Sequence, residues 1–92
     1  MQALTAEEAA QRLKSIPAWQ IEQGALVRVF AFADFRAALA FVNQVGALAE
    51  DAGHHPDIDI RYNRVRVALV THDANGLTAK DFHLASAADA LV

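Results

Sequence analysis

Apolar residues recur at helical spacing near both ends of the chain, and each of these stretches begins with the same polar motif. Thr5 and Glu8 stand three residues apart, which is the spacing of a capping box, and they predict a first helix over residues 5–16 that a proline ends. Thr78 and Asp81 repeat that spacing. We therefore expect a last helix to begin there.

A longer helix is predicted in the middle of the chain, over residues 35–51. Asp34 is a residue type suited to the N-cap, and Gly53 stands where a glycine commonly ends a helix. The apolar stripe of this segment recurs at helical intervals and comprises Phe35, Leu39, Val42, Val45 and Leu48.

Two further regions alternate apolar and polar residues, as strands do. Residues 18–32 predict a hairpin that turns at Gly24, and residues 57–62 and 64–71 predict a second hairpin that turns at Asn63. The order is helix, two strands, helix, two strands, helix. An α+β fold, αββαββα, with a four-stranded antiparallel sheet and helices packed on one face, is the simplest way to bury these stripes.

Length and composition narrow the class of protein. Ninety-two residues predict a single domain, spanning residues 1–92, and a chain this short can complete its core by associating with further copies. Hydrophobic residues make up 54%, but 21 of them are alanine, which favours helix more than it adds buried area. We expect a soluble, helix-rich protein.

Charge and cysteine content exclude several functions. A net charge of −3 with scattered basic residues argues against direct nucleic-acid binding. The apolar runs are too short to cross a bilayer, and the N-terminus does not resemble a secretory signal. The chain has no cysteine, so thiolate chemistry and disulfides are excluded, and a cytoplasmic location is expected.

The segment EDAGHHP carries the residues least suited to a purely structural role. Glu50 lies at the C-terminal end of the middle helix, where the helix macrodipole disfavours a carboxylate. His54 and His55 follow, and Pro56 biases His55 towards an extended conformation. Because neighbouring side chains on an extended segment point in opposite directions, the two imidazoles can face different walls of a cleft.

A third histidine is expected beside this pair. His72 ends the last strand, while its hairpin partner begins directly after HHP. Counting outwards from the turn at Asn63 places Pro56 nearly opposite Thr71, because the start of one antiparallel strand lies beside the end of the next. The three histidines should therefore meet at one end of the sheet.

Several interpretations of this cluster remain open. Histidine pairs commonly lie on a surface loop, and three histidines can bind zinc, but the usual ligand spacing is missing. Proton transfer is favoured, because imidazole titrates near neutral pH and neither serine nor cysteine lies beside the cluster. Asp81 suits a capping role and a site role equally. Trp19 suits the core, or the wall of a site for a planar ligand.

These residues resemble the signature of the pterin-4a-carbinolamine dehydratases. The match extends over nearly the whole chain, including VFAFADFRAALAFV, AEDAGHHP and VRVALVTHDANGLTAKD. Its characteristic positions, in order, are Glu50, His54, His55, Pro56, Tyr62, His72 and Asp81. The resemblance implies an αββαββα fold, in agreement with the elements above, and assembly into a homodimer or homotetramer.

The resemblance also implies a reaction. The family are lyases (hydro-lyases) that remove water from 4a-hydroxytetrahydrobiopterin and give quinonoid dihydropterin, without a metal or an organic cofactor. This recycles the tetrahydrobiopterin that aromatic amino acid hydroxylases consume, so a functional link to phenylalanine hydroxylase is implied.

Roles for individual residues are carried over from the same resemblance. His54 and His72 match the acids at the 4a-hydroxyl, and His55 matches a histidine that contacts the pterin and assists deprotonation. The remaining matched positions are implied to bind substrate or to orient the imidazoles: Glu50, Gly53, Pro56, Val70, Thr71, Asp73, Asp81 and, at the pocket edge, Trp19. Asp73 stands where some members have glutamate.

The family also implies an alternative function. Some proteins of this fold are interaction modules, either a transcription coactivator or a RuBisCO assembly factor, with little or no activity. Such a role would use helix faces and would not need the histidine cluster. Because that cluster is intact, an enzyme is favoured.

Overall fold

The computed structural model describes residues 2–92. Its regular elements, in chain order, are α1 (Ala6–Leu13), β1 (Gln20–Glu22), β2 (Ala25–Ala31), α2 (Phe35–Ala52), β3 (Asp57–Arg61), β4 (Arg64–Leu69) and α3 (Ala79–Asp89), with a short 3₁₀ turn at His72–Ala74 between β4 and α3. The four strands form one antiparallel sheet in the order β1-β2-β4-β3. The predicted α+β fold with helices on one face is confirmed.

The helices begin and end where side chains satisfy their free backbone groups. At α1, the Thr5 backbone N–H donates to Glu8 Oε1 at 2.8 Å, and the Glu8 N–H donates to Thr5 Oγ1 at 3.1 Å. At α2, Asp34 accepts from the Ala37 N–H at 2.9 Å, and Gly53 adopts the left-handed conformation with φ of 62°. Glycine takes that conformation at little cost, so it ends α2 and turns the chain towards the sheet.

The first helix is shorter than residues 5–16. It ends at Leu13, because the next backbone N–H groups reach back only three residues: Ser15 donates to Arg12 O at 3.1 Å and Ile16 to Leu13 O at 3.0 Å. Such tightening of the last turn is common where an α-helix ends.

The register of the second hairpin differs from the predicted one. Arg61 pairs with Arg64, so the turn comprises Tyr62, with a positive φ of 53°, as well as Asn63. Continued from the last pair, Asp57 with Ala68, this register places Pro56 level with Leu69. The expected near-opposition of Pro56 and Thr71 is therefore two residues out of register. A turn at Asn63 alone would place Pro56 level with Val70, so the second turn residue, Tyr62, accounts for one of the two.

The core lies between the sheet and the helices. Phe30 on β2 packs against Phe41 on α2 with a centroid separation of 4.5 Å, and against Trp19 edge-to-face at 5.9 Å. Trp19 is only 2% exposed. Burying each such ring stabilises the fold by roughly 1.5–3 kcal/mol, which anchors the helices on the sheet. Within residues 2–92, no helix has the length and apolar character needed to span a membrane.

Candidate active site

The segment that follows β4 is held by backbone bonds before it reaches α3. Thr71 and Gly76 form an isolated antiparallel bridge, in which the Thr71 N–H donates to Gly76 O at 3.0 Å. The 3₁₀ turn His72–Ala74 lies between them. This bridge places the Thr71 side chain beside the N-terminus of α3 and leaves His72 on the exposed turn.

Asp81 is the centre of a buried hydrogen-bond network. Its side chain has no exposed surface, and its two oxygens have separate partners. Oδ2 accepts from the Thr78 backbone N–H at 2.9 Å and from the Thr71 hydroxyl at 2.8 Å. Oδ1 lies 2.6 Å from His54 Nε2. Asp81 therefore caps α3 and also bonds His54, so the capping role is confirmed and the second oxygen is available for the predicted site role.

The contacts of Asp81 determine where His54 carries a proton. A carboxylate can only accept hydrogen bonds, so Nε2 of His54 donates to it. The other ring nitrogen, Nδ1, is then left for proton exchange. The His54 side chain is 11% exposed, so the ring is largely enclosed while part of it still reaches the surface. This arrangement fixes both the tautomer and the orientation of the imidazole.

His55 forms the second histidine–carboxylate pair, at the C-terminal end of α2. Its Nε2 lies 2.6 Å from Glu50 Oε2. Here both side chains are well exposed, by 64% for His55 and 77% for Glu50. Exposed pairs of this kind gain only about 0–1 kcal/mol, because solvent screens them. Glu50 orients His55 far more weakly than Asp81 orients His54.

The three histidines line one cavity of about 230 Å³, together with several of the other predicted residues. Its lining residues are Gly53, His54, His55, Val70, Thr71, His72, Asp73 and Lys80. The predicted convergence of the histidines is therefore present despite the shifted register. Glu50 and Asp81 are outside this lining, and each bonds one of its imidazoles. Pro56 is half-buried and outside this lining.

Trp19 lies outside the histidine cavity. Its Nε1–H donates to Asp89 Oδ1 at 2.8 Å, and Arg28 donates to the same oxygen at 2.6 Å. The indole is thus a core residue whose polar atom is satisfied at the end of α3, and it does not line the histidine cavity. The resemblance implied a place at the pocket edge, whereas the structure places the ring outside the lining of the histidine cavity. The physical reason is that the edge-to-face contact with Phe30 and the bond to Asp89 hold the ring inside the core.

Sequence reasoning missed Lys80, which lines the cavity from the first turn of α3. A signal was available, because a cation in the first turn of a helix is disfavoured by the macrodipole. Lys80 follows Thr78 by two residues, and its backbone N–H donates to the Thr78 hydroxyl at 3.3 Å. Its ammonium makes no ion pair among residues 2–92, so it is free to meet a ligand.

Histidine and carboxylate side chains could also bind a metal ion. Across residues 2–92, no group of three or more histidine, cysteine, aspartate or glutamate side chains is arranged to hold a metal ion. The Nε2 atoms of both His54 and His55 are instead engaged by carboxylates. What the arrangement offers is a set of oriented imidazoles that can give and take protons.

Comparison with known proteins identifies relatives over the full chain. Residues 2–91 match the family model described as pterin 4 alpha carbinolamine dehydratase. Proteins named "putative pterin-4-alpha-carbinolamine dehydratase" include one from Acidobacterium capsulatum, 59% identical over 92 residues, with 100% of both chains covered. Another from Chloroflexus aurantiacus is 58% identical over 92 residues, covering 100% of this chain and 99% of the relative.

Solved structures of pterin dehydratase and dehydratase-like proteins also match this chain. The crystal structure of a transcriptional coactivator/pterin dehydratase from Brucella melitensis matches with a TM-score of 0.94 and 37% identity, covering 98% of each chain. A pterin dehydratase-like protein identified as a RuBisCO assembly factor in the alpha-carboxysome matches with a TM-score of 0.67 and 28% identity, covering 79% of this chain and 84% of that one. The chain belongs to the pterin-4-alpha-carbinolamine dehydratase family.

Proposed function

We propose that the protein is a hydro-lyase that removes water from 4a-hydroxytetrahydrobiopterin to give quinonoid dihydropterin. The observation that supports this most directly is the convergence of three histidines on one cavity, two of them bonded to carboxylates. Membership of the family supports the same reaction.

The reaction requires proton transfer at two atoms of the pterin. The C4a–O bond breaks as a proton reaches the leaving hydroxyl, which departs as water. N5 loses its proton, and its electron pair forms the C4a=N5 double bond. Each positioned acid or base can contribute about 10²–10⁴-fold, so a cavity lined by several imidazoles suits this elimination.

The three histidines would divide these steps. His54 and His72 are proposed as acids at the hydroxyl, and His55 contacts the pterin and assists removal of the N5 proton. Asp81 keeps the His54 ring in one tautomer and stabilises its protonated form, much as a buried aspartate does beside the histidine of a hydrolase triad. Glu50 plays the corresponding part for His55, less rigidly because it is exposed.

The biological setting follows from the same proposal. The product would re-enter the tetrahydrobiopterin cycle of an aromatic amino acid hydroxylase, with phenylalanine hydroxylase as the functional partner. We propose that the chain acts as one domain in a homodimer or homotetramer in the cytoplasm.

A second candidate function is a protein-interaction module. Two structural neighbours are named as a coactivator/dehydratase and as an assembly factor. The observation that favours it here is an apolar pair on α2, Phe35 and Leu39, which are 45% and 43% exposed and lie four residues apart on one helix face. An oligomer interface would explain the same pair.

Dehydration of enzymatically generated 4a-hydroxytetrahydropterin, followed by ultraviolet absorbance, tests the proposed reaction. We expect the protein to accelerate the spontaneous rate, and His54→Gln and His72→Ala to remove about 10²-fold or more of that acceleration. Glutamine at position 54 can still donate to Asp81, so the fold is spared. Gln44→Ala, on an exposed turn of α2, is the control. No acceleration by folded protein would contradict the proposal and favour the interaction module.

A further inference from the structure

A second concave surface lies directly beside the histidine cavity, between α2 and α3. This groove has a volume of about 430 Å³. Its surface is mostly apolar, although four of its lining side chains are polar. The residues that line it and not the cavity are Leu48, Asp51, Ala52, His83, Leu84 and Ala87.

The groove and the histidine cavity are adjacent and share two lining residues. His54 and Lys80 line both of them. The cavity alone, at about 230 Å³, is smaller than the roughly 300–1,000 Å³ typical of small-molecule sites. Cavity and groove together fall within that range. A ligand whose reacting part occupies the cavity can therefore extend past His54 and Lys80 into the groove.

We propose that the groove binds the C6 substituent of the pterin, and that it selects for a short hydroxylated chain. The inference rests on the proposed dehydratase function. Carbon atoms of such a chain would lie on Leu48 and Leu84, while its hydroxyl groups would donate to Asp51 or accept from His83. Apolar floors with a few placed polar groups are typical of small-molecule sites. Lys80, at the junction, would contact the part of the pterin nearest the groove.

Two substrates that differ only at C6 test this assignment: one with a methyl group and one with the dihydroxypropyl group of biopterin. Ala87→Leu adds apolar volume inside the groove and leaves the cavity lining unchanged. We expect it to lower kcat/KM for the dihydroxypropyl substrate by about tenfold. For the methyl substrate we expect a change of less than about twofold, since that group does not reach the groove.

A second variant tests the groove without placing a larger side chain on a helix face. Asp51→Asn removes one charge from an exposed residue in the last turn of α2, where a carboxylate is disfavoured, so the fold should not suffer. We expect KM for the dihydroxypropyl substrate to rise by about three- to tenfold, with kcat and the methyl substrate little affected. Asp59→Asn is the matched control, because Asp59 is an exposed aspartate on β3, outside both surfaces.

The outcomes separate the two proposals. If the unmodified protein dehydrates both substrates but neither variant distinguishes them, the groove assignment is overturned and the dehydratase proposal stands. A change in oligomeric state by light scattering, with equal losses on both substrates, would also overturn it and would make the groove an interface between copies. If neither substrate is dehydrated faster than spontaneously, both proposals fail together.

Discussion

Two helices of this protein begin with the same capping motif, yet the two motifs have different surroundings. At α1, the Glu8 carboxylate accepts from the Thr5 N–H at 2.8 Å, and both residues are exposed. At α3, the Asp81 carboxylate accepts from the Thr78 N–H at 2.9 Å, but Asp81 is completely buried. The local bond is the same. Only the second carboxylate has partners outside its own turn.

The difference shows how a structural motif can gain a chemical role. Once the cap uses one oxygen of Asp81, the other is free to bond His54, and the Thr71 hydroxyl completes the set of donors. In the low dielectric of the interior these bonds are stronger and their loss is more costly. The His55–Glu50 pair lies between the two extremes, because it has the same 2.6 Å contact as the His54–Asp81 pair but both of its side chains are well exposed.

The largest effect on the dehydration rate is expected from Asp81→Asn. A neutral amide cannot stabilise protonated His54, and its NH₂ group, if directed at Nε2, would force the opposite tautomer. We expect the dehydration rate to fall about 100-fold or more. Glu8→Gln makes the same chemical change in the exposed box and should leave the rate unchanged within about twofold. Equal effects of the two variants would contradict a site role for Asp81.

A smaller effect is expected from Thr71→Val, which keeps the shape of the side chain but removes the hydroxyl between Asp81 and Thr78. The buried Asp81 carboxylate then loses a donor and the Thr78 hydroxyl loses an acceptor, so we expect the free energy of unfolding to fall by about 1–3 kcal/mol and the dehydration rate to fall as well. Urea denaturation and the absorbance assay measure the two effects.

Thr5→Ala is the control for that variant. Removing the exposed cap should cost about 1 kcal/mol of stability with no change in rate. If Thr71→Val also changed stability alone, the buried network would be structural and the orientation of His54 would not depend on it.

Among the variants at the histidine site, the smallest effect on activity should come from Glu50→Gln. Solvent already competes for the exposed His55–Glu50 contact, so we expect a loss of less than about tenfold. The same assay, run beside Asp81→Asn, compares the two histidine–carboxylate pairs directly. A loss as large as that of Asp81→Asn would show that burial does not decide which pair matters.

Much of the fold could be predicted from the sequence because it depends on contacts between near neighbours. Both capping boxes, the Asp34 cap and the glycine that ends α2 involve residues at most a few positions apart. The alternation that predicts the hairpins is equally local. The end of α1 and the register of the second hairpin differ from the prediction. Tyr62 adopts a left-handed conformation that is unusual for a bulky residue, so the sequence offered no sign of it.

The sequence by itself determined the set of chemical groups and their approximate meeting place: three histidines at one end of an antiparallel hairpin, with acidic residues nearby. Tertiary structure decided which partner each group bonds. The bond between His54 and Asp81 joins residues 27 positions apart, and the placement of Trp19 against Asp89 joins residues 70 apart. Such contacts depend on how α2 and α3 pack on the sheet. Packing is a property of the whole chain, so no local pattern could reveal it.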